Sequence, residues 1–286
     1  MIERIAILGT GLLGTSAGLA LRAAGYRGTI TGWNRSTEGA QTALAMGALD
    51  TVATDPIAMA RESQVVLLCA PVHAILDWME QLAGVLGPEH LLTDVGSTKA
   101  QITSAADRLF NRPERAAFLP GHPMAGKERG GAALGDAVLY RGAVWLFTDD
   151  PRWKRSPQSA QLVQDWRTWV KALGAKVIDL DAARHDELVA WVSHLPQFLA
   201  TALSALLEDQ VGDAPELKDV GGRGLREMTR LGASPYSMWR DIAHTNSDAI
   251  QKALSALEQR LTHIRENLRT PELRDEFDKA NRFRKE

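Results

Sequence analysis

Cysteine is almost absent: Cys69 stands alone in 286 residues. No intrachain disulfide and no cysteine metal cluster can therefore form, and a single thiol inside Val65-Val66-Leu67-Leu68-Cys69 reads as packing. Charge of one sign is lacking too, with 33 basic against 35 acidic side chains and a net charge of -2. That balance offers no field to a nucleic-acid backbone or an anionic membrane surface. Apolar runs such as 65–72 fall far short of the ~20 residues that span a bilayer, and Met1-Ile2-Glu3-Arg4 does not begin a secretory signal. The expectation is a cytoplasmic protein with neither nucleic acid nor membrane as partner. His185, His194, His244 and His263 show no metal-ligand spacing, so no metal site is expected, nor is a serine-nucleophile elbow. Repeats and low-complexity segments are missing as well.

What is present is an ordinary globular composition, 45% hydrophobic and 24% charged, and a change of pattern near residue 180. Up to that point short apolar runs alternate with longer amphipathic ones, the signature of strands joined by crossover helices. The spacing predicts strands over 5–8, 29–33, 65–69, 91–93, 117–120, 144–147 and 176–179. Their near-continuous apolar character suits a doubly wound parallel sheet covered on both faces. Beyond residue 182 helical periodicity takes over, most clearly over 182–210 and 247–268, with glycine-rich breaks between. The predicted fold is α/β: a Rossmann-like dinucleotide-binding domain over 1–180, then an all-α domain over 181–286.

Gly9-Thr10-Gly11-Leu12-Leu13-Gly14 sits directly after the first strand and opens an Ala/Leu-rich helix. In that context Gly9 allows the tight turn, Gly11 the approach of a pyrophosphate, and Gly14 close helix–strand packing, with the anion at the helix N-terminus beside Leu12 and Leu13. NAD-selective sites place an acid at the end of the second strand, where this chain has Asn34-Arg35-Ser36 and no acid until Glu38. A guanidinium there matches a 2'-phosphate, so NADP is favoured over NAD. A cap-forming role for Asn34 or Ser36, with Arg35 simply solvated, is the alternative.

Ligands in such sheets lie beyond the carboxyl ends of the strands. Ala70 and Pro71 follow the third predicted strand and would let backbone pass close to the cofactor. Asp94-Val95-Gly96-Ser97-Thr98-Lys99 follows the fourth, with Ser97 as a candidate polar group or helix cap. Gly121-His122-Pro123-Met124-Ala125-Gly126 follows the fifth. His122, held on a strand-end turn, is the candidate proton acceptor because imidazole titrates near neutrality. His194 and Arg230 in the helical half read equally well as ligands or as satisfied structural groups.

These segments, together with Ser193-His194-Leu195-Pro196, Met228-Thr229-Arg230 and Met238-Trp239-Arg240-Asp241-Ile242, resemble the prephenate/arogenate dehydrogenase (TyrA) family of tyrosine biosynthesis over essentially the whole chain. The resemblance implies an NAD(P)-dependent oxidoreductase that oxidatively decarboxylates prephenate or arogenate, and a helical domain that forms a homodimer. It implies His122 and Ser97 as catalytic residues, Arg230 as carboxylate clamp, and His194, Trp239, Gln197 and Glu128 as substrate contacts. Glu128 and Asp136 are the acids that an arogenate ammonium would favour, and Arg226 or Glu227 would approach the neighbouring subunit. Three departures stand out: Gln197 where the family often has a further His, Glu227 where Asp is usual, and Asn34-Arg35-Ser36 in place of an NAD-type acid. The alternatives are a two-domain hydroxyacid or imine oxidoreductase, and a redox-inactive NADP(H) sensor. The first usually carries a Lys on the first long helix of the helical domain, and 182–210 contains none.

Overall fold

The computed structural model describes residues 1–285. Six parallel strands make the main sheet: β1 (Arg4–Leu8), β2 (Thr29–Trp33), β3 (Thr51–Val52), β4 (Val65–Leu68), β5 (Leu91–Asp94) and β6 (Ala117–Leu119). Their order is β3-β2-β1-β4-β5-β6, so the chain reverses its direction of winding between β1 and β4. The crossovers are α1 (Leu12–Ala23), α2 (Thr37–Ala45), α3 (Pro56–Glu62), α4 (Val72–Ala83) and α5 (Ala100–Phe110). Successive side chains of a strand point to opposite faces, and both faces here are apolar. Ile5, Ile7, Val65 and Leu67 join one core with Ala17 and Leu21 of α1, while Ala6, Leu8, Val66 and Leu68 join the other with Ile75, Met79 and Ile102. At about 1.5–3 kcal/mol for each fully buried large apolar side chain, burial on both faces of the central strands is the main force that holds this sheet.

The seven predicted strands all exist, but they do not share one sheet. Pro120 ends β6, and the chain passes at once into β7 (Gly121–Pro123), which pairs antiparallel with β8 (Val144–Phe147). A crossover through α6 (Pro157–Ala172) then brings β9 (Lys176–Asp179) parallel to β8. Proline offers no N–H to continue a ladder, and the Pro120 carbonyl accepts instead from Thr148 N at 3.1 Å, which locks the corner between the sheets. β3 and β7 escaped the sequence pattern because they are two and three residues long, and a proline inside a run argues against a strand.

All elements after β9 are helical. α7 (Ala182–Val189) runs through a π turn (Ala190–His194) into α8 (Leu195–Val211), followed by α9 (Leu217–Val220), α10 (Arg223–Thr229), a 3-10 turn (Arg230–Ala233), α11 (Tyr236–Thr245), α12 (Ser247–Glu266) and α13 (Glu272–Lys285). Pro196 explains the π turn: it lacks an N–H, and its ring would press on the carbonyl four residues back, so the helix widens there. The continuous helix Ala182–Val211 is, contrary to the reading of short apolar runs, long and apolar enough to cross a bilayer by length and composition alone. Its ends carry Arg184, Asp186, Glu208 and Asp209. Leu206 and Val211 are exposed in the single chain, as are Leu261, Phe277 and Phe283 on α12 and α13.

Gly14-Thr15-Ser16-Ala17-Gly18 does spell the letters of a serine elbow, contrary to expectation. Ser16 is buried within α1, however, and its hydroxyl accepts from Asp136 N at 2.9 Å, so it occupies no strand-to-helix elbow.

Asp94, at the end of β5, ties the two sheets together. Its Oδ2 accepts from Gly96 N at 2.7 Å and pairs with Lys99, and its Oδ1 accepts from Gly121 N at 3.0 Å, at the start of β7. Both Asp94 and Lys99 are 0% exposed. Burial pulls the Lys99 ammonium pKa down, and Asp94 opposes that shift. Removing one partner strands the other charge, so Asp94→Ala is expected to cost about 3–5 kcal/mol of stability. Urea unfolding measures this, and a loss below about 1 kcal/mol would show the pair to be dispensable.

Candidate active site

The glycine turn is built for close approach. Gly9 has φ +102°, and a Cβ there would lie 2.1 Å from the Cys69 carbonyl oxygen; a Cβ on Gly14 would lie 2.0 Å from the Gly9 carbonyl oxygen. A Cβ on Gly11, by contrast, meets nothing within 4 Å. Gly11 is also the N-cap of α1 and supplies no side-chain cap. The first N–H groups of that helix, at Leu12, Leu13 and Gly14, are therefore available to an anion, which the helix dipole favours. The residues fit a dinucleotide pyrophosphate. Ala70 and Pro71 follow β4, with Pro71 as the N-cap of α4. At the end of β2, Ser36 caps α2 by accepting from Gly39 N at 3.4 Å, and Asn34 Nδ2 donates to the Ser36 carbonyl at 3.2 Å. Arg35 is exposed.

His122 lies on β7 and is 8% exposed. Its hydrogen-bond partner comes from the helical half. His122 Nδ1 bonds His185 Nε2 at 2.9 Å, and His185 Nδ1 bonds Asp186 Oδ1 at 2.7 Å. The same Asp186 oxygen accepts from Lys99 N at 2.7 Å, and Oδ2 accepts from Ala100 N at 2.8 Å. Asp186 of α7 thus caps α5, whose own N-cap residue, Lys99, supplies no side-chain bond. Ser97, partly buried, lies two residues before Lys99, so it is not the N-cap of α5 that the sequence allowed. Burial is the first cause that holds the His122 pKa well below the usual imidazole range; nearby His185, Lys99 and His194 push the same way. The sequence expectation of titration near neutrality is corrected accordingly.

From the helical half, the π turn places His194 in the interior. Its Nδ1 lies 3.3 Å from Asn246 Nδ2, so that nitrogen is the acceptor, and burial lowers its pKa to about 4. The Trp239 ring packs edge-on against His194 and Phe198, with its Nε1 buried and unpartnered among the described residues. Arg230 pairs with Glu128 across the two halves. Asp136 pairs with Lys127 at 3.6 Å, and Glu227 pairs within its helix with Arg223.

Gln197, expected to touch substrate, uses both amide donors and its carbonyl oxygen within the protein. Nε2 donates to the Leu231 carbonyl at 2.7 Å and to Thr201 Oγ1 at 3.1 Å, while Oε1 accepts from Ser234 at 3.1 Å. It orders the 3-10 turn that carries Arg230.

Sequence reading missed His185, Asp186 and Asn246. The one signal available was a His-Asp pair in the first turns of a helix whose next turns are apolar, which reads equally well as a solvated helix start.

Two family models cover the chain: residues 17–179 match the nucleotide-binding domain of prephenate dehydrogenase, and residues 181–282 match the prephenate dehydrogenase dimerization domain. The prephenate dehydrogenase of Bacillus subtilis (strain 168) is 32% identical over 252 residues, which span 87% of this chain and 66% of that protein. The crystal structure of prephenate dehydrogenase from Aquifex aeolicus with hydroxyphenyl propionate and NAD+ superposes with a TM-score of 0.83 at 27% identity, covering 100% of this chain and 96% of that one. The Synechocystis arogenate dehydrogenase structure gives 0.77 at 27% identity and 99% of both chains.

Proposed function

Because the chain belongs to the prephenate dehydrogenase family, we propose that it oxidatively decarboxylates prephenate to 4-hydroxyphenylpyruvate, with NADP as oxidant, as a cytoplasmic homodimer. The observation that carries the reading is His122: a buried imidazole at the corner leaving the main sheet, bonded at Nδ1 and unpartnered at Nε2 among the described residues. In this reading residues 1–180 hold the dinucleotide and 181–286 form the helical substrate and dimer unit, a division supported by the change from sheet to helix after β9.

The substrate ring becomes aromatic when hydride leaves C4 and CO2 leaves C1, so the protein has chiefly to orient groups and handle one proton. A bound nicotinamide dinucleotide would supply the hydride acceptor, with its pyrophosphate held at the N–H groups of Leu12, Leu13 and Gly14. His122 takes the proton of the 4-hydroxyl as C4 becomes a carbonyl, and returns it to the phenolate oxygen once C1 has lost CO2, so the proton count closes. Ser97 is assigned to the same hydroxyl as a hydrogen-bond partner. Arg230 keeps one side on Glu128 and offers the remaining donors of its guanidinium to a substrate carboxylate. His194, neutral and accepting at Nδ1, donates from Nε2, and Trp239 Nε1–H supplies a further donor. The exposed leucines and phenylalanines of α8, α12 and α13 are the surface a second copy would cover.

Prephenate is preferred to arogenate because the acid at hand, Glu128, is already held by Arg230, so a substrate ammonium would compete with a guanidinium for it. The names of the Bacillus and Aquifex relatives point the same way. A spectrophotometric assay of both substrates is expected to give kcat/KM at least ~10-fold higher for prephenate, the discrimination of roughly 1.4 kcal/mol. Turnover of neither would end the assignment. The sign of the pH dependence follows from the lowered His122 pKa: the base is unprotonated at neutrality, so kcat/KM should fall only as pH drops below 6.5. An acid limb centred above 6.5 would contradict burial as the dominant influence.

Arg35 is assigned to the 2'-phosphate. Loss of a charge-assisted contact of roughly 1.5–3 kcal/mol should make Arg35→Ala bind NADP about 10- to 100-fold more weakly, with NAD nearly unchanged. Equal losses for both nucleotides would return Arg35 to solvent.

A further inference from the structure

We propose that His185 and Asp186 act as a positioning pair that fixes the proton of His122 on Nδ1 and so leaves Nε2 as the unprotonated base. The inference deepens the proposed reaction and rests on it for the role of His122, although the tautomer itself can be observed without turnover.

The proton positions follow from counting donors. Both oxygens of Asp186 accept backbone N–H groups at the start of α5, a geometry that suits a carboxylate facing a helix N-terminus. An anionic carboxylate has no proton to give, so the 2.7 Å bond to His185 is donated by His185 Nδ1–H. A neutral imidazole carries one N–H, which leaves His185 Nε2 as an acceptor. The 2.9 Å bond between the rings must then be donated by His122 Nδ1–H, and the lone pair of His122 falls on Nε2. Burial keeps both rings neutral. The other groups that bear on His122 are Lys99, already engaged by Asp94, and His194, neutral down to about pH 4.

The pair also helps after the proton arrives. An imidazolium at His122 donates more strongly through Nδ1–H to a neutral acceptor that itself leans on a carboxylate, so part of the burial penalty on the charged ring is offset. His122 comes from β7 and the pair from α7, so the base is in its working tautomer only when the two halves are docked.

The test begins with 15N-histidine-labelled protein at neutral pH, with the His122 signals identified by their loss in His122→Asn. Imidazole correlation spectra should show both His122 and His185 protonated at Nδ1. A His122 ring protonated at Nε2 would overturn the proposal, and this readout decides even if neither substrate is turned over, the result that would sink the reaction instead. Kinetics add a second readout. His185→Leu fills the space but offers no acceptor, and should lower kcat by about 100-fold, within the range for general-base assistance, with KM and dinucleotide binding within a few-fold. His185→Gln keeps an amide acceptor and should stay within roughly fivefold of the parent, because a neutral hydrogen bond is retained at a site where its loss leaves a buried donor unpaired. A leucine variant as active as the glutamine variant would mark His185 as packing alone. Should His185→Leu not fold, the spectra still decide.

Discussion

A carboxylate buried in the junction between two folding units needs hydrogen-bond donors for its oxygens, and Asp186 finds three, drawn from both sides. Lys99 N and Ala100 N approach from the nucleotide-binding half, and His185 Nδ1 approaches from its own helix. Charge-assisted bonds of this kind contribute roughly 1.5–3 kcal/mol each. They also fix direction: α5 cannot begin anywhere else, α7 cannot rotate without stranding the carboxylate, and His122 is held by what α7 presents. Asn246 Nδ2 donates to the Asp186 carbonyl at 2.8 Å, and Thr98 meets Thr245 at 2.7 Å, so α11 and α12 seat against the same junction.

The sequence made the scaffold readable where local rules decide. Gly9 and Gly14 are legible because a positive φ at Gly9 and backbone approaches under 3 Å at both tolerate nothing larger, and Gly11 because it stands between them as the open N-cap of α1. Apolar four-residue runs such as Val65–Leu68 are legible because both faces of a parallel strand are covered. His122 was reached as an imidazole just past a strand end, inside a segment that carries the family resemblance. What stayed hidden depends on distant partners. Asp186 looks like any acid near a helix start until α5 is docked on it, and Gln197 looks like a ligand contact until the turn at Leu231 closes over its amide. The corner at Pro120 could have been suspected, but its antiparallel partner lies some twenty residues on and is chosen by packing.

The helical half shows how one irregularity serves several ends. Pro196 opens a π turn, the π turn brings His194 to the interior, and Trp239 closes over it from α11. Further along the same helix, Gln197 ties down the turn that carries Arg230, whose guanidinium reaches back to Glu128. Polar groups that would be costly to bury alone are thus satisfied by one another. Apolar surface on α8, α12 and α13 is left exposed in the single chain.

Whether His122 and Asp186 act as one unit in the proposed reaction is open to a double-mutant cycle on kcat, with Asp186→Asn, His122→Asn and the two combined. Residues that work only through each other lose their effect once: the double variant is expected to be no more than about threefold slower than His122→Asn alone, since a coupled pair is strongly non-additive. Losses that multiply would contradict the account, because Asp186 would then act on turnover by a route that does not pass through His122.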